Sequence, residues 1–93
     1  MMVQDVVIAC DVRCLDQPRY RAWVDQELFA ERRWRWGQDH YLEEIITVRG
    51  PARRYHIRYE LVPGDSGQVL VDNYRVISGP GQIDSQGNLE IMS

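Results

Sequence analysis

Apolar and polar residues alternate with period two in five stretches of the chain, and no stretch sustains the 3.6-residue period of an amphipathic helix beyond two turns. The plainest stretch is Tyr55–Leu61, where Tyr55, Ile57, Tyr59 and Leu61 alternate with His56, Arg58 and Glu60. A half-buried strand has this signature, because successive side chains leave a strand on opposite faces. The apolar set is expected to point inward, joined by Val69 and Val71 or by their alternates Leu70, Tyr74 and Val76.

Turn residues divide the rest. Val6–Arg13 alternates Val6, Ile8, Cys10 and Val12 against Val7, Ala9, Asp11 and Arg13 until Asp16-Gln17-Pro18 breaks the run. Tyr20–Asp25 and Leu28–Trp36 are separated by Asp25-Gln26, which predicts a tight hairpin whose tip lacks glycine. A helix across Tyr20–Arg35 is the competing reading, since its charges fall at helical spacings, but Trp23, Leu28, Ala30, Trp34 and Trp36 make no continuous apolar stripe. In Tyr41–Arg49, Leu42, Glu44, Ile46 and Val48 lie on one side and Tyr41, Glu43, Ile45 and Thr47 on the other. Both faces are mixed, so this strand is expected to be covered on each, with a homo-oligomer or a subunit-bound form as the consequence.

Gly50-Pro51-Ala52 leads into Arg54–Val62, and Pro63-Gly64-Asp65-Ser66-Gly67 is the strongest turn signal in the chain. Gln68–Ile77 follows, closed by Ser78-Gly79-Pro80-Gly81. A last small hairpin turns at Asp84–Asn88, between Ile83 and the pair Leu89 and Ile91. Seven or eight short strands at this spacing predict an all-β fold, a single antiparallel β-sandwich of jelly-roll type forming one domain over residues 1–93.

Composition narrows the partners. At 93 residues there is room for one domain, and no apolar run approaches the roughly 20 residues that cross a bilayer as a helix. Met1–Asp5 carries no basic charge ahead of Val6–Cys10, so no secretory signal is expected and the functional chain is taken to begin at Met1. All 11 basic residues are arginine. Arginine pairs bidentately with carboxylates and stacks on aromatic rings, which suits contact surfaces; a GC-rich coding sequence would leave the same composition. The net charge of −3 and the interleaving of arginines with Glu27, Glu31, Glu43 and Glu44 argue against a nucleic-acid-binding face. Cys10 and Cys14 lie too far apart along one strand to bond and have no partners at zinc spacing, so they are expected as free or buried thiols in a reducing compartment.

Candidate chemistry is sparse. Glu43 and Glu44 are adjacent on a strand and point to opposite faces, so they cannot flank one glycosidic bond; ion pairs with arginines on neighbouring strands are the expectation. His40 and His56 have no Ser or Cys in a catalytic motif and are expected at the surface. Asp65, Asp72, Asn73 and Asp84 are hard oxygen donors of the kind that bind calcium in β-sandwiches, but their spacing matches no converging loop, and turn formation accounts for Asp65 and Asp84. Neither an enzymatic activity, a cofactor nor a metal is therefore expected. Trp34 and Trp36 are expected in the core, with Arg33 and Arg35 on the opposite face and the arginines of Arg32–Arg35 solvated. Trp23, Phe29, Arg33 and Arg35 form the candidate partner-binding patch, an aromatic centre with an arginine rim shared across the hairpin.

Tyr55–Leu61, the Gly-rich turn after it and Gln68–Val76 resemble the closing strands of jelly-roll carbohydrate-binding modules, which end in a similar hydrophobic-Asp-x-hydrophobic pattern. Trp23–Arg32 followed by Tyr41–Glu44 resembles small β-sandwich proteins of tailed bacteriophages that decorate capsids or tails. The second resemblance implies a non-enzymatic virion structural protein, a capsid decoration or cement protein that binds and stabilises larger capsid subunits. Its place would be the virion, reached through the host cytoplasm during assembly. The first implies a carbohydrate-binding module instead.

Overall fold

The computed structural model describes residues 2–93 and contains eight strands and no helix among them. Met1, taken above as the start of the chain, lies outside the described residues. The strands are β1 (Gln4–Leu15), β2 (Arg19–Val24), β3 (Glu27–Arg33), β4 (Leu42–Gly50), β5 (Arg54–Leu61), β6 (Gln68–Ser78), β7 (Gly81–Ile83) and β8 (Asn88–Ile91). They build two antiparallel sheets, a three-stranded one in the order β4-β1-β6 and a five-stranded one in the order β3-β2-β5-β8-β7. The sheets pack face to face as a β-sandwich.

Period-two patterning dictates which side of each strand faces the other sheet. On β1, Val6, Ile8, Cys10, Val12 and Cys14 are all buried, and on β4 Ile46 and Val48 meet them. Tyr55 and Ile57 of β5 and Leu89 and Ile91 of β8 close one half of the core. The other half gathers Cys10, Val12, Cys14, Tyr20 and Trp34, with Tyr59, Leu61 and Tyr74 packed against it. Both cysteines are free, and burial pushes each thiol up to about 11. The segment that offered helical charge spacings folds as β2 and β3, where Arg21 and Glu31 face each other across the ladder with Nε donating to the carboxylate over 2.7 Å.

Three local features depart from simple alternation. In β6 the pairing with β1 slips between Ala9 and Asp11, and Asn73 adopts φ 56°, so one extra residue is accommodated there. The inward set is therefore Val69 and Val71 before the bulge and Tyr74 and Val76 after it. In β3 the ladder runs Ala22 to Ala30 and then Trp23 to Leu28, leaving Phe29 as the unpaired residue. Lastly, β3 ends at Arg33 rather than continuing to Trp36. Trp34 turns into the core, its amide donating to the Pro18 carbonyl, whereas Trp36 stays 45% exposed with its ring edge-on to Trp34. The expectation that both tryptophans are core is thus corrected for Trp36: once the strand ends, alternation no longer carries it inward.

Two aspartates tie the connections down. Asp25 occupies the first turn position of the β2–β3 hairpin with φ 53°, where glycine is more usual, and its carboxylate accepts the His56 amide and the Arg53 guanidinium. Asp65, in the β5–β6 turn, accepts three donors of Arg19: the backbone amide at 2.7 Å, Nε at 3.2 Å and Nη2 at 2.9 Å. Those hydrogen bonds hold its carboxyl down at about 2, against an ordinary 3.8.

Ile57, with its side chain closed off between the sheets, should lose about 2 to 5 kcal/mol of stability on change to alanine. Arg58→Ala, on the outer face, should cost far less, and equal shifts in denaturant midpoint for the two variants would contradict the register. The Asp65 pKa is depressed on folding, so its stabilising effect is present above the unfolded value near 4 and disappears as pH falls through the folded value near 2. The melting temperature should therefore drop across that window, and Asp65→Asn should flatten the drop; an unchanged acid limb in the variant would contradict the assignment.

Candidate functional site

Two places concentrate polar or unpartnered groups. The first is interior. Glu44 of β4 shares its side of the strand with Leu42, Ile46 and Val48, and only 4% of it is exposed. Across the sandwich, Tyr20 of β2 donates its hydroxyl to Oε2 at 2.5 Å and Tyr59 of β5 donates to Oε1 at 2.8 Å. The Arg32 guanidinium of β3 closes the open side, with Nε 3.3 Å from Oε2. Cys10 Sγ lies 3.4 Å from the Tyr59 hydroxyl. Burial is the main cause that raises the pKa of both phenols, and for Tyr20 the hydrogen bond to Glu44 adds to it. These phenols stay protonated and act as donors, as a buried carboxylate requires. The expected ion pairing of the two glutamates is thus divided: Glu43 meets Arg75 on the outer face, and Glu44 is buried with Arg32 and two tyrosines.

The second place is the outer face of the three-stranded sheet. Register puts Val7 opposite Thr47 and Ala9 opposite Ile45 on that face. Ile45 is 46% exposed, and Ile77, unpaired at a second slip of the β1–β6 ladder, is 53% exposed. This apolar strip has charge at both ends. Asp5 and Arg49 lie 3.8 Å apart at one end, and Arg75 bridges Asp11 and Glu43 at the other.

The four residues expected to form one contact patch are spread out. Trp23 lies on the outer face of the five-stranded sheet, half-buried, with Nε1 donating to Glu60 over 2.7 Å and the Arg58 guanidinium 4.9 Å from its ring centre. Phe29, 42% exposed, lines a depression of about 330 Å³ at the hairpin end with Leu28, Thr47, Val48 and Arg49. Arg33 borders a different hollow with Pro18 and Asp65, at the opposite end of β3. Arg35 lies beyond the end of β3 and is exposed. The bulge at Phe29 breaks the alternation from which a shared face with Arg33 was read. Outside the expected patch, Val7, Ile45 and Ile77 make up a partly exposed apolar strip; the mixed faces of Tyr41–Arg49 were the signal that pointed to Ile45.

The remaining candidates have local roles. Asp84 accepts the Gln86 and Asn88 amides of its own turn, Asn73 donates to Asp11, and His40 and His56 are exposed. Among the described residues no three His, Cys, Asp or Glu side chains are placed to hold a metal ion. Comparison of the chain with protein-family models, with curated proteins and with solved structures finds no match.

Removing one hydroxyl from the interior cluster should be costly. Tyr59→Phe, which leaves Glu44 one donor short in a dry site, should destabilise by about 1 to 3 kcal/mol in chemical denaturation. A variant as stable as the parent would mean that water replaces the lost donor.

Proposed function

We propose that this domain is a non-enzymatic binding subunit, of the kind that decorates or cements a virion by attaching to larger capsid subunits. The observation that carries the reading is the outer face of the three-stranded sheet, where Ile45 and Ile77 stay half-exposed beside Val7 and charge stands at both ends. An apolar centre with a polar rim is the anatomy of a protein contact surface, and aliphatic groups in this position gain by being covered. The virion setting rests on the strand patterning of Trp23–Arg32 and Tyr41–Glu44, which resembles that of small tailed-phage β-sandwich proteins.

A carbohydrate-binding role has one observation in its favour. Tyr41 is 68% exposed at the rim of a depression of about 540 Å³ that also carries Asp11, Arg13, Asp39 and Asp72, so an aromatic face stands beside groups able to bind sugar hydroxyls.

The two readings separate on one pair of variants. Ile45→Ser combined with Ile77→Ser should weaken co-sedimentation with capsid particles by about tenfold or more, since an anchor lost from the centre of an interface commonly costs over 1 kcal/mol, while the melting temperature barely moves. Tyr41→Ala should leave particle binding intact. Retardation of the parent protein in polysaccharide-containing gels, abolished by Tyr41→Ala, together with undiminished particle binding by the double variant, would overturn the protein-binding reading in favour of sugar.

A further inference from the structure

Among the described residues the two sheets leave four strand edges unpaired, at β4, β6, β3 and β7, and an unpaired edge offers a row of free amides and carbonyls to any other chain. Three of these edges carry a guard. The β6 ladder is bulged at two points, the β3 ladder is bulged at Phe29, and β7 is only 3 residues long. β4 differs. Its 9 residues pair with β1 without a register slip, it contains no proline, and its inward charge, Glu44, is already met by Tyr20, Tyr59 and Arg32.

The sequence of β4 is also complementary to itself. In an antiparallel pair of two copies centred on Ile46, Glu43 stands opposite the second copy's Arg49 and Ile45 opposite its Thr47, and symmetry repeats both pairs. Shifting the centre by one residue in either direction removes the Glu43–Arg49 match. Within one copy the charges are unevenly matched. Asp11 and Glu43 are directly paired across β1 and β4, a like-charge pair, with Arg75 as the cation that bridges them. A second copy's Arg49 would bring a second cation to Glu43. Exposed apolar groups sit on the same side of the sandwich, because Leu28 and Phe29 of β3 share a depression with Thr47 and Arg49.

We infer that β4 is a homodimerisation edge, pairing antiparallel with the β4 of a second copy about Ile46 to give a continuous six-stranded sheet, β6-β1-β4 joined to its symmetry mate. The partner is a second copy because the charge pattern of the edge reads the same after a two-fold rotation. The pairing deepens the reading above, since it doubles the width of the outer face offered to a larger subunit, but it is measured on the chain alone. Failure to dimerise and failure to attach to particles are therefore distinguishable.

Sedimentation velocity of the purified chain at about 100 μM should show a dimer that weakens as salt rises, because the cross-copy ion pairs are screened. Glu43→Arg alone and Arg49→Glu alone each place like charges opposite one another twice, and each should weaken the dimer by about tenfold or more. Mixing the two variants should restore a dimer, because each new arginine then faces a new glutamate. Circular dichroism melts of the single variants confirm that the fold is kept. A monomer at all concentrations overturns the inference, as does a parent dimer that neither single variant weakens. A mixture that stays monomeric while both variants remain folded overturns the register.

Discussion

One buried carboxylate connects the two sheets. Glu44 belongs to the three-stranded sheet, yet all three side chains that satisfy it, Tyr20, Tyr59 and Arg32, come from three adjoining strands of the other sheet. An unpaired charge between packed sheets would be expelled or neutralised, so the arrangement holds only while β4 lies over β3, β2 and β5 in one register. Apolar packing sets how closely the sheets approach but is tolerant of sliding. A carboxylate held by two hydroxyl hydrogen bonds and an arginine ion pair is not, and here it specifies which strand of one sheet covers which strands of the other.

From that constraint the exposed features follow. With Leu42, Glu44, Ile46 and Val48 held inward, Glu43, Ile45, Thr47 and Arg49 face outward, on an edge strand with an apolar row of β1 beside it. Both the surface proposed for a larger partner and the edge proposed for a second copy are consequences of how β4 is pinned. By contrast, the outer face of the five-stranded sheet is largely self-satisfied: Arg21 pairs with Glu31, Arg58 with Glu60, and Trp23 lies beneath Arg58. A tryptophan with its ring covered and its N–H already donating has little left to offer a partner. Trp23, chosen as an anchor by residue type, is met in place by Arg58 and Glu60 of its own chain.

Alternation made much of the fold legible. β1, β4 and the first half of β5 show inward and outward sets that a period of two assigns correctly, and the glycine-free hairpin at Asp25-Gln26 forms where two strand patterns meet. The misreadings lie where the period breaks. A bulge flips the parity of every residue beyond it, so Val69 and Val71 point inward while Tyr74 and Val76 do so from the opposite parity, and Phe29 loses its expected alignment with Arg33. Asn73, beside Asp72, is of a type that tolerates the left-handed conformation the bulge needs, a signal present in the chain but indistinguishable from a turn residue. The role of Glu44 was hidden for another reason. Its parity placed it inward, but whether a buried carboxylate is a liability or a lock depends on hydroxyls 24 and 15 residues away, and no local pattern reports those.

Edge protection is the last step that the topology explains. Bulges on β3 and β6 and the shortness of β7 each blunt an edge at some cost in ladder hydrogen bonds, and a sandwich that protects three edges while leaving the fourth regular is treating that fourth edge differently. An inward charge is itself a common way to blunt an edge, because a strand added alongside would have to bury it. Glu44 does not serve in that way, since its donors all come from within the chain and nothing further must be supplied when β4 acquires a neighbour. The same interaction that fixes the sheet-to-sheet register thus leaves β4 regular, satisfied on its inner face and open along its edge.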